Sequence, residues 1–385
     1  EWNDANNALD GHGLSMETLY YMRRYIAYLK SQLAEQSGSV NLSREVDLWL
    51  TETASALNTI RAQLQTGPVW ASQKYQLLKK LGQAASHYRQ TVYEQESFSG
   101  FTRQPFDQIN AMLDDALAII DHSIEHNVRE DGLYHAYNLL HIGTEAVEVD
   151  KLYPMLEGQV AAISSGTVPP ARVVEVLETL FESDMFRADQ ESFMLYPDRR
   201  LPRFLEKNQI PADNVEALPV LMHMLEQGDE RIVVRDAEGC YRFSAEFHNV
   251  NDLNTELDSL TPIYGARLEE DRESLLSLYE RVFNHKAFTG RSGGMFGFEG
   301  LGCIYWHMVS KLLLAVQENF FAARTQAADK EICHRLGSLY YRIRKGIGFN
   351  KGPANYGAFP TDPYSHTPKF AGAQQPGMTG QVKEE

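Results

Sequence analysis

Residues 16–33 read METLYYMRRYIAYLKSQL, and apolar side chains recur in this stretch at steps of three and four. A helix with 3.6 residues per turn brings such positions onto one face. The positions are Leu19, Met22, Ile26, Leu29 and Leu33. The stretch therefore predicts an amphipathic helix that packs on others through this face.

The same period recurs in two further stretches of the first half of the chain. The apolar positions are Val46, Leu50, Leu57, Ile60 and Leu64 in one stretch, and Ile109, Leu113, Leu117, Ile120 and Ile124 in another. Further helices are predicted after the pair Pro169-Pro170, over 302–316 and over 330–343. Many amphipathic helices with little strand indicate an all-α architecture.

One β-hairpin interrupts the helical pattern. Its strands are Arg231–Val234 and Cys240–Phe243, joined by a connection that includes Asp236–Gly239. The surrounding segment, 207–274, is predicted to be an insertion. It divides a helical domain into a first part, 1–206, and a last part, 275–385.

Composition and charge restrict the class of protein. The 385 residues are 43% hydrophobic and carry a net charge of −16, a surface that repels nucleic acid. No apolar run approaches the roughly 18 residues that span a bilayer. Cys240, Cys303 and Cys333 are too few for a disulfide framework and indicate free thiols in a cytoplasmic protein. We expect the chain to be a fragment of a longer protein.

The first candidate site lies at the start of the chain, where residues 1–7 read EWNDANN. The face of Trp2 can stack on a sugar ring, and the Asn3 amide can bond its hydroxyls. Asp4 can protonate a glycosidic oxygen if its pKa is raised. The alternative interpretation of these residues is a capping cluster before the first helix.

Trp2-Asn3-Asp4 resembles the Trp-Asn-Asp motif of the cellobiose phosphorylase-like family of inverting glycoside phosphorylases, which includes chitobiose phosphorylase and cyclic β-glucan enzymes. Further segments follow in the family's order. They are Asp131–Tyr137, Leu156–Gly166, Gly293–Phe296, Asp362–Tyr364 and Met378–Gly380. Within the second of these, Gln159 falls on the family's Gln.

The resemblance implies a fold and a set of roles. The fold is an (α/α) toroid of the six-hairpin barrel type, incomplete here and bearing the inserted hairpin. Asp4 would be the general acid, and Trp2, Asn3 and Gln159 would contact the sugar. Thr379 and Gly380 would bind phosphate, as the matching Thr of the family does.

Two departures from the family concern its binding residues. No His occupies the position near Phe298 at which the family binds phosphate, and Ala161 replaces a family Trp. Arg291 and Ser292 precede Gly293-Gly294 and could hold the anion instead, by a bidentate guanidinium and a loop of backbone N–H groups. Pairing of Arg291 with an acidic neighbour is the open alternative.

Glu299 distinguishes two reactions. An inverting hydrolase needs a second carboxyl about 6.5–9.5 Å from the acid to activate water. An inverting phosphorylase needs only the acid, because phosphate is the nucleophile and cationic and N–H donors hold its charge. Asp4 with Glu299 as general base describes the hydrolase, and Asp4 alone describes the phosphorylase.

The sequence favours phosphorolysis of a β-linked glucoside or oligoglucan, with inversion and release of a sugar 1-phosphate. The alternatives are an inverting glycoside hydrolase and a carbohydrate-binding relative without catalysis. Oligosaccharide and inorganic phosphate are the expected partners, with no metal, organic cofactor, nucleic acid or membrane. A homodimer is also possible in phosphorylases of this kind.

Overall fold

A computed structural model gives the architecture and describes residues 13–67, 69–95, 97–188, 190–197, 203–283, 304–347 and 366–367. The chain divides into two compact units, and the described part of the smaller one is 203–283. Both units are mainly helical with small antiparallel sheets. The predicted helical class is confirmed, whereas a toroid stays a prediction.

The larger unit contains helices that precede and follow the smaller one in sequence. They are α1 (Met16–Leu33), α2 (Arg44–Leu64), α3 (Ala71–Glu94), α4 (Phe106–Glu125), α5 (Leu156–Ser164), α6 (Pro170–Glu182), α12 (Trp306–Thr325) and α13 (Lys330–Gly346). Within its described residues, the smaller unit has five helices: α7 (Phe204–Lys207), α8 (Ala212–Glu216), α9 (Pro219–Glu226), α10 (Val250–Tyr264) and α11 (Ala266–Phe283).

The strands pair only antiparallel and form short sheets. Those of the larger unit are β1 (Gly13–Ser15), β2 (Ser39–Ser43), β3 (Phe101–Pro105), β4 (Tyr137–Ile142), β5 (Val147–Lys151), β6 (Phe186–Arg187), β7 (Ser192–Phe193), β10 (Ile304–Tyr305) and β11 (His366–Thr367). The smaller unit has β8 (Val233–Arg235) and β9 (Tyr241–Phe243).

Local capping explains where the helices begin. The Ser15 hydroxyl accepts from the Thr18 N–H at the start of α1, and Ser43 caps α2 in the same way. Pro170 stands at the first position of α6, where its missing N–H costs no helical bond. The periodic stretches before residue 200 are thus confirmed as helices. The predicted helix over 302–316 instead begins at Trp306 and extends to Thr325.

Three helices of the larger unit, α1, α5 and α12, run parallel. Residues near the start of one helix contact residues near the starts of the others, and residues near the ends contact residues near the ends. Near the starts, Glu17 interacts with Glu157 and Lys311. Farther along, Arg23 donates to the Ser165 carbonyl at 3.2 Å, Arg24 pairs with Glu318 at 2.6 Å, and Asn319 donates to the Ile163 carbonyl at 2.8 Å. The N-terminal ends of the three helices therefore lie at one end of the unit.

Two further helices of the larger unit run opposite to a neighbour in this group. In α4, Asp121 pairs with Arg23 and Asp114 with Lys30, so α4 runs antiparallel to α1. A short connection folds α13 back against α12.

The core of the larger unit is densest at α5. All nine residues of α5 are buried, including the polar Glu157 and Gln159. Across the ranges that the structure describes, no helix combines the length and apolar character of a membrane span.

The smaller unit has its own apolar core, which contacts its hairpin. Strand β8 pairs with β9 in the register Val233↔Phe243, which confirms the predicted hairpin with its first strand shifted by about two residues. The Asp236 carboxylate accepts from the Cys240 N–H and from Arg242, and Gly239 has the positive φ of 86° that the turn requires. Cys240 is a free, partly buried thiol, as is Cys333 in the larger unit.

Candidate functional site

The candidate site is the end of the larger unit at which α1, α5 and α12 begin. Strand β1 lies immediately before α1, and β10 immediately before α12. In the sequence, Asp4 precedes β1, and the segment 290–302 with Arg291 and Glu299 precedes β10. Both predicted segments lie outside the described residues.

The structure describes one of the predicted site residues and leaves the others outside the described ranges. Gln159 lies within the described residues, on α5. The others lie outside the described residues: they are Trp2, Asn3, Asp4, Arg291, Ser292, Glu299, Thr379 and Gly380. Their roles stay predictions.

The segment 133–138 runs through the buried interior between α4 and β4. The Tyr20 hydroxyl donates to the His135 carbonyl at 3.1 Å, and Asn127 donates to the same carbonyl at 2.8 Å. Asn138 donates to Asn127 at 3.1 Å. These bonds satisfy backbone and side-chain groups that burial removes from water, so they fix the path of the segment.

His135 is neutral in this environment. Its side chain is 5% exposed, and burial lowers its pKa to about 4. Its Nδ1 lies 3.0 Å from the Leu152 carbonyl, so the Nδ1–H tautomer donates to that oxygen. The imidazole therefore acts as a structural donor at neutral pH and does not supply positive charge.

Gln159 holds the same segment from α5. Its Oε1 accepts from the Tyr134 N–H at 2.8 Å, and its Nε2 donates to the Tyr134 carbonyl at 2.7 Å and to the Met155 carbonyl at 2.9 Å. The side chain is completely buried. Both amide hydrogens and one acceptor position are used by backbone groups, so Gln159 has a scaffold role here. A direct contact with sugar stays a prediction.

Gly158 allows α5 to approach the segment closely. A Cβ at this position would lie 2.9 Å from the backbone N and Cα of Ala136 and from its Cβ. The neighbouring atoms are mostly backbone and cannot move aside cheaply. A glycine is therefore required where α5 contacts residue 136.

Replacing Gly158 with Ala is expected to destabilise the protein by about 1–3 kcal/mol, since overpacking forces backbone shifts of this cost. The change in the denaturant midpoint of unfolding measures the effect. Gly82, where an added Cβ meets nothing within 4 Å, provides the control. Gly82→Ala should retain or raise stability because it lies inside helix α3. Equal midpoints for both variants would contradict the close approach.

Tyr137 and two glutamates form the polar centre of the candidate site. The Tyr137 hydroxyl donates to Glu17 Oε2 at 3.1 Å and is also in hydrogen-bonding contact with Glu157. Tyr137 is 1% exposed and Glu157 4%. Burial raises the pKa of Glu17, whereas the bonds from Tyr137 and Glu157 and the charge of Lys311 act against that change.

Sequence reasoning did not single out Glu17, and it treated Tyr137 and Glu157 only as members of longer motifs. Glu17 and Tyr137 are 120 positions apart along the chain. The available local signal was a carboxylate in the first turn of a helix, which is a common feature of helix starts. The pairing itself depends on the contact of the start of α1 with β4, where Ser15 pairs with Tyr137.

One comparison with known proteins identifies a related domain. Residues 201–286 match the family described as GH149 phosphorylase insertion domain 2. The match covers the described part of the smaller unit, 203–283, and exceeds the predicted insertion 207–274 at both ends. It suggests a GH149-type glycoside phosphorylase, an enzyme of carbohydrate metabolism. Comparison with curated proteins finds no match.

Proposed function

We propose that the chain contains the catalytic core of an inverting glycoside phosphorylase that acts on a β-linked glucoside or oligoglucan. The observation that carries the proposal is the match of residues 201–286 to a phosphorylase insertion domain. The order of the motifs from Trp2-Asn3-Asp4 to Met378-Thr379-Gly380 supports it independently. The cellobiose phosphorylase-like mechanism is the finer part of the proposal.

In this mechanism Asp4 protonates the glycosidic oxygen while phosphate attacks the anomeric carbon from the opposite face. Trp2, Asn3 and Gln159 contribute to the sugar site, directly or by positioning. The bond to the leaving sugar breaks as the bond to phosphate forms, and a sugar 1-phosphate of inverted configuration is released. Inorganic phosphate is the co-substrate, and the proposal requires no metal or organic cofactor.

Phosphate is held by Arg291, Ser292, Thr379 and Gly380 in this proposal. Arg291 supplies the charge in a bidentate pair, and backbone N–H groups and hydroxyls complete the binding. The net charge of −16 does not argue against an anionic co-substrate, because a local basic pocket can override the field of the whole surface.

The test measures whether sugar release depends on phosphate. The protein, in its full-length form, is incubated with β-linked gluco-oligosaccharides with and without inorganic phosphate, and glucose 1-phosphate and free glucose are assayed separately. We expect glucose 1-phosphate only when phosphate is present. Free glucose at the same rate without phosphate would contradict the proposal and indicate the hydrolase, with Glu299 as base. Binding without turnover would indicate the non-catalytic relative.

A further inference from the structure

A basic cavity, as we name it, lies in the larger unit between the end of α12 and the start of α13. Its volume is about 400 Å³, within the range of pockets that hold small molecules. Its lining combines one aromatic ring with three basic side chains and a free thiol: Phe320, Arg324, Ala328, Lys330, Cys333 and His334. The candidate site lies where α12 begins, and Arg324 is roughly 27 Å farther along this helix. The basic cavity is therefore separate from the candidate site.

Two cations of the basic cavity have no counterion among the described residues. Arg324 stands in the last turn of α12, and Lys330 is the first residue of α13. Within the described ranges, neither side chain forms an ion pair or a hydrogen bond; the Arg324 guanidinium lies 5.9 Å from the centre of the Phe320 ring. Backbone N–H groups of residues 326–328 already bond the carbonyls at the end of α12. The Arg324 side chain is therefore not engaged in ending its own helix.

The acidic residues on either side of Lys330 have other roles. The Asp329 carboxylate caps α13 by accepting from the Glu331 N–H at 2.8 Å. The Glu331 charge acts on Arg335, one turn farther along α13. Neither carboxylate lines the basic cavity. Because Asp329 already caps the helix start, side chains rather than helix N–H groups must hold an anion in the cavity.

The side chains of the basic cavity match a phosphate group attached to a sugar. The Arg324 guanidinium can hold two phosphate oxygens in a bidentate pair, and Lys330 adds a second positive charge. The His334 ring can donate a further hydrogen bond. Phe320 packs near Gly337, where an added Cβ would lie 3.7 Å from the Phe320 Cε2. An aromatic ring beside the cations can contact the apolar face of a sugar.

We propose that the basic cavity is an accessory binding site for a sugar phosphate. Arg324, Lys330 and His334 bind the phosphate group, and Phe320 contacts the sugar ring. This binding does not require that the chain catalyses phosphorolysis. A sugar 1-phosphate is also the product of the proposed function, so a regulatory response to product at this cavity rests on that function.

Cys333 can report on the cavity because it is a free, partly buried thiol in its lining. The protein, in its full-length form, is treated with a thiol-alkylating reagent at increasing glucose 1-phosphate. Peptide mass spectrometry measures the alkylation rate at each cysteine. We expect the rate at Cys333 to fall roughly tenfold at a ligand concentration about ten times the Kd, since only the unoccupied site reacts. Cys240, a free thiol of the smaller unit, should react at an unchanged rate.

Substitutions of the two cations assign the protection to the cavity. Arg324→Gln and Lys330→Gln should each raise the half-protecting concentration of glucose 1-phosphate by roughly 10–100-fold, because each removes a charged hydrogen-bond donor. Both side chains are exposed, so the variants should fold as the wild type does. Arg335→Gln is the matched control: it removes the same charge from α13, but Arg335 pairs with Glu178 and does not line the cavity. If Arg335→Gln weakens protection as much as Arg324→Gln, the effect belongs to the general field and the proposal is overturned.

Three further probes test which part of the ligand is recognised. Inorganic phosphate should protect Cys333 at a higher concentration than glucose 1-phosphate, and glucose should not protect it at these concentrations. Potassium chloride at the same ionic strength should also have no effect. Equal protection by chloride would overturn the proposal, because the ligand would then only screen exposed cations. Equal half-protecting concentrations of phosphate and glucose 1-phosphate would overturn the contact of the sugar with Phe320.

The outcomes distinguish this proposal from the proposed function. If Cys333 is protected as expected but sugar release does not depend on phosphate, the proposed function fails and the accessory site stands. If turnover depends on phosphate but glucose 1-phosphate leaves the alkylation rate of Cys333 unchanged, the accessory site is overturned and the proposed function stands. Protection that persists undiminished in Arg324→Gln would place the ligand elsewhere and would also overturn the site.

Discussion

Replacement of Asp4 with Asn is expected to lower kcat for phosphorolysis by about 10²–10⁴-fold, the usual contribution of a positioned general acid. The amide has nearly the same shape but cannot release a proton to the glycosidic oxygen. The leaving sugar must then depart as an alkoxide, which is the costly step. Initial rates of glucose 1-phosphate formation at saturating oligosaccharide and phosphate measure the loss.

Leaving-group chemistry distinguishes a lost acid from a misfolded site. An aryl β-glucoside with an acidic phenol departs without protonation, so Asp4→Asn should retain most of its activity on this substrate. Arg291→Ala provides the complementary control and should raise KM for phosphate on both substrates. If Asp4→Asn lowers kcat on the aryl glucoside as severely as on the oligosaccharide, that result would contradict the role of Asp4 as the acid.

Much of the helical fold could be predicted because the determining signals are local. The apolar face of residues 16–33 and the caps at Ser15 and Ser43 lie within a few residues of the helices that they specify. The helix over residues 71–94 was not identified from sequence. Among its described residues only Ala84 is buried, so it lacks the strong apolar face by which the others were found.

The arrangement of the helices could not be read from periodicity. The parallel course of α1, α5 and α12 depends on contacts between residues more than 100 positions apart, such as Arg23 with Ser165 and Arg24 with Glu318. Each of these residues reads locally as an ordinary polar position on a helix. The toroid therefore came only from resemblance and stays a prediction.

The residues of the candidate site also divide into those that the local sequence identifies and those that it does not. The motif around Trp2 and Asp4 was identified from residue types, because stacking and proton donation need those side chains. Glu17 has no such signature in the sequence. It belongs to the polar centre of the candidate site because the fold brings Tyr137 and Glu157 next to it. Buried polar groups far apart in sequence are specified by packing, which local patterns do not record.

For Gln159, the sequence and the structure indicate different roles. Its place in the family-like motif predicts a sugar contact. Its three hydrogen bonds to the backbone of Tyr134 and Met155 indicate that it holds the segment 133–138 against α5. Both roles can be tested with a single substitution because they predict changes in different quantities.

Replacing Gln159 with Leu is expected to lower the free energy of unfolding by about 2–5 kcal/mol. Leu fills a similar volume but leaves the buried N–H and C=O of Tyr134 without their Gln159 partner, at about 1–3 kcal/mol for each unsatisfied group. Denaturant unfolding measures the change. A loss confined to KM for the oligosaccharide, with stability unchanged, would instead identify Gln159 as a sugar contact.

Gln104 supplies the control for this measurement. It is also buried, at 7% exposed, but its amide donates to the side chain of Gln108 at 3.1 Å. Gln104→Leu therefore removes a bond whose partner can turn toward water, and we expect a loss of only about 0.5–1.5 kcal/mol. If the loss for Gln159→Leu clearly exceeds that for Gln104→Leu, the segment 133–138 is held by the backbone bonds of Gln159. The path of the segment that carries Tyr137 then depends on α5, and the candidate site depends on the core beneath it.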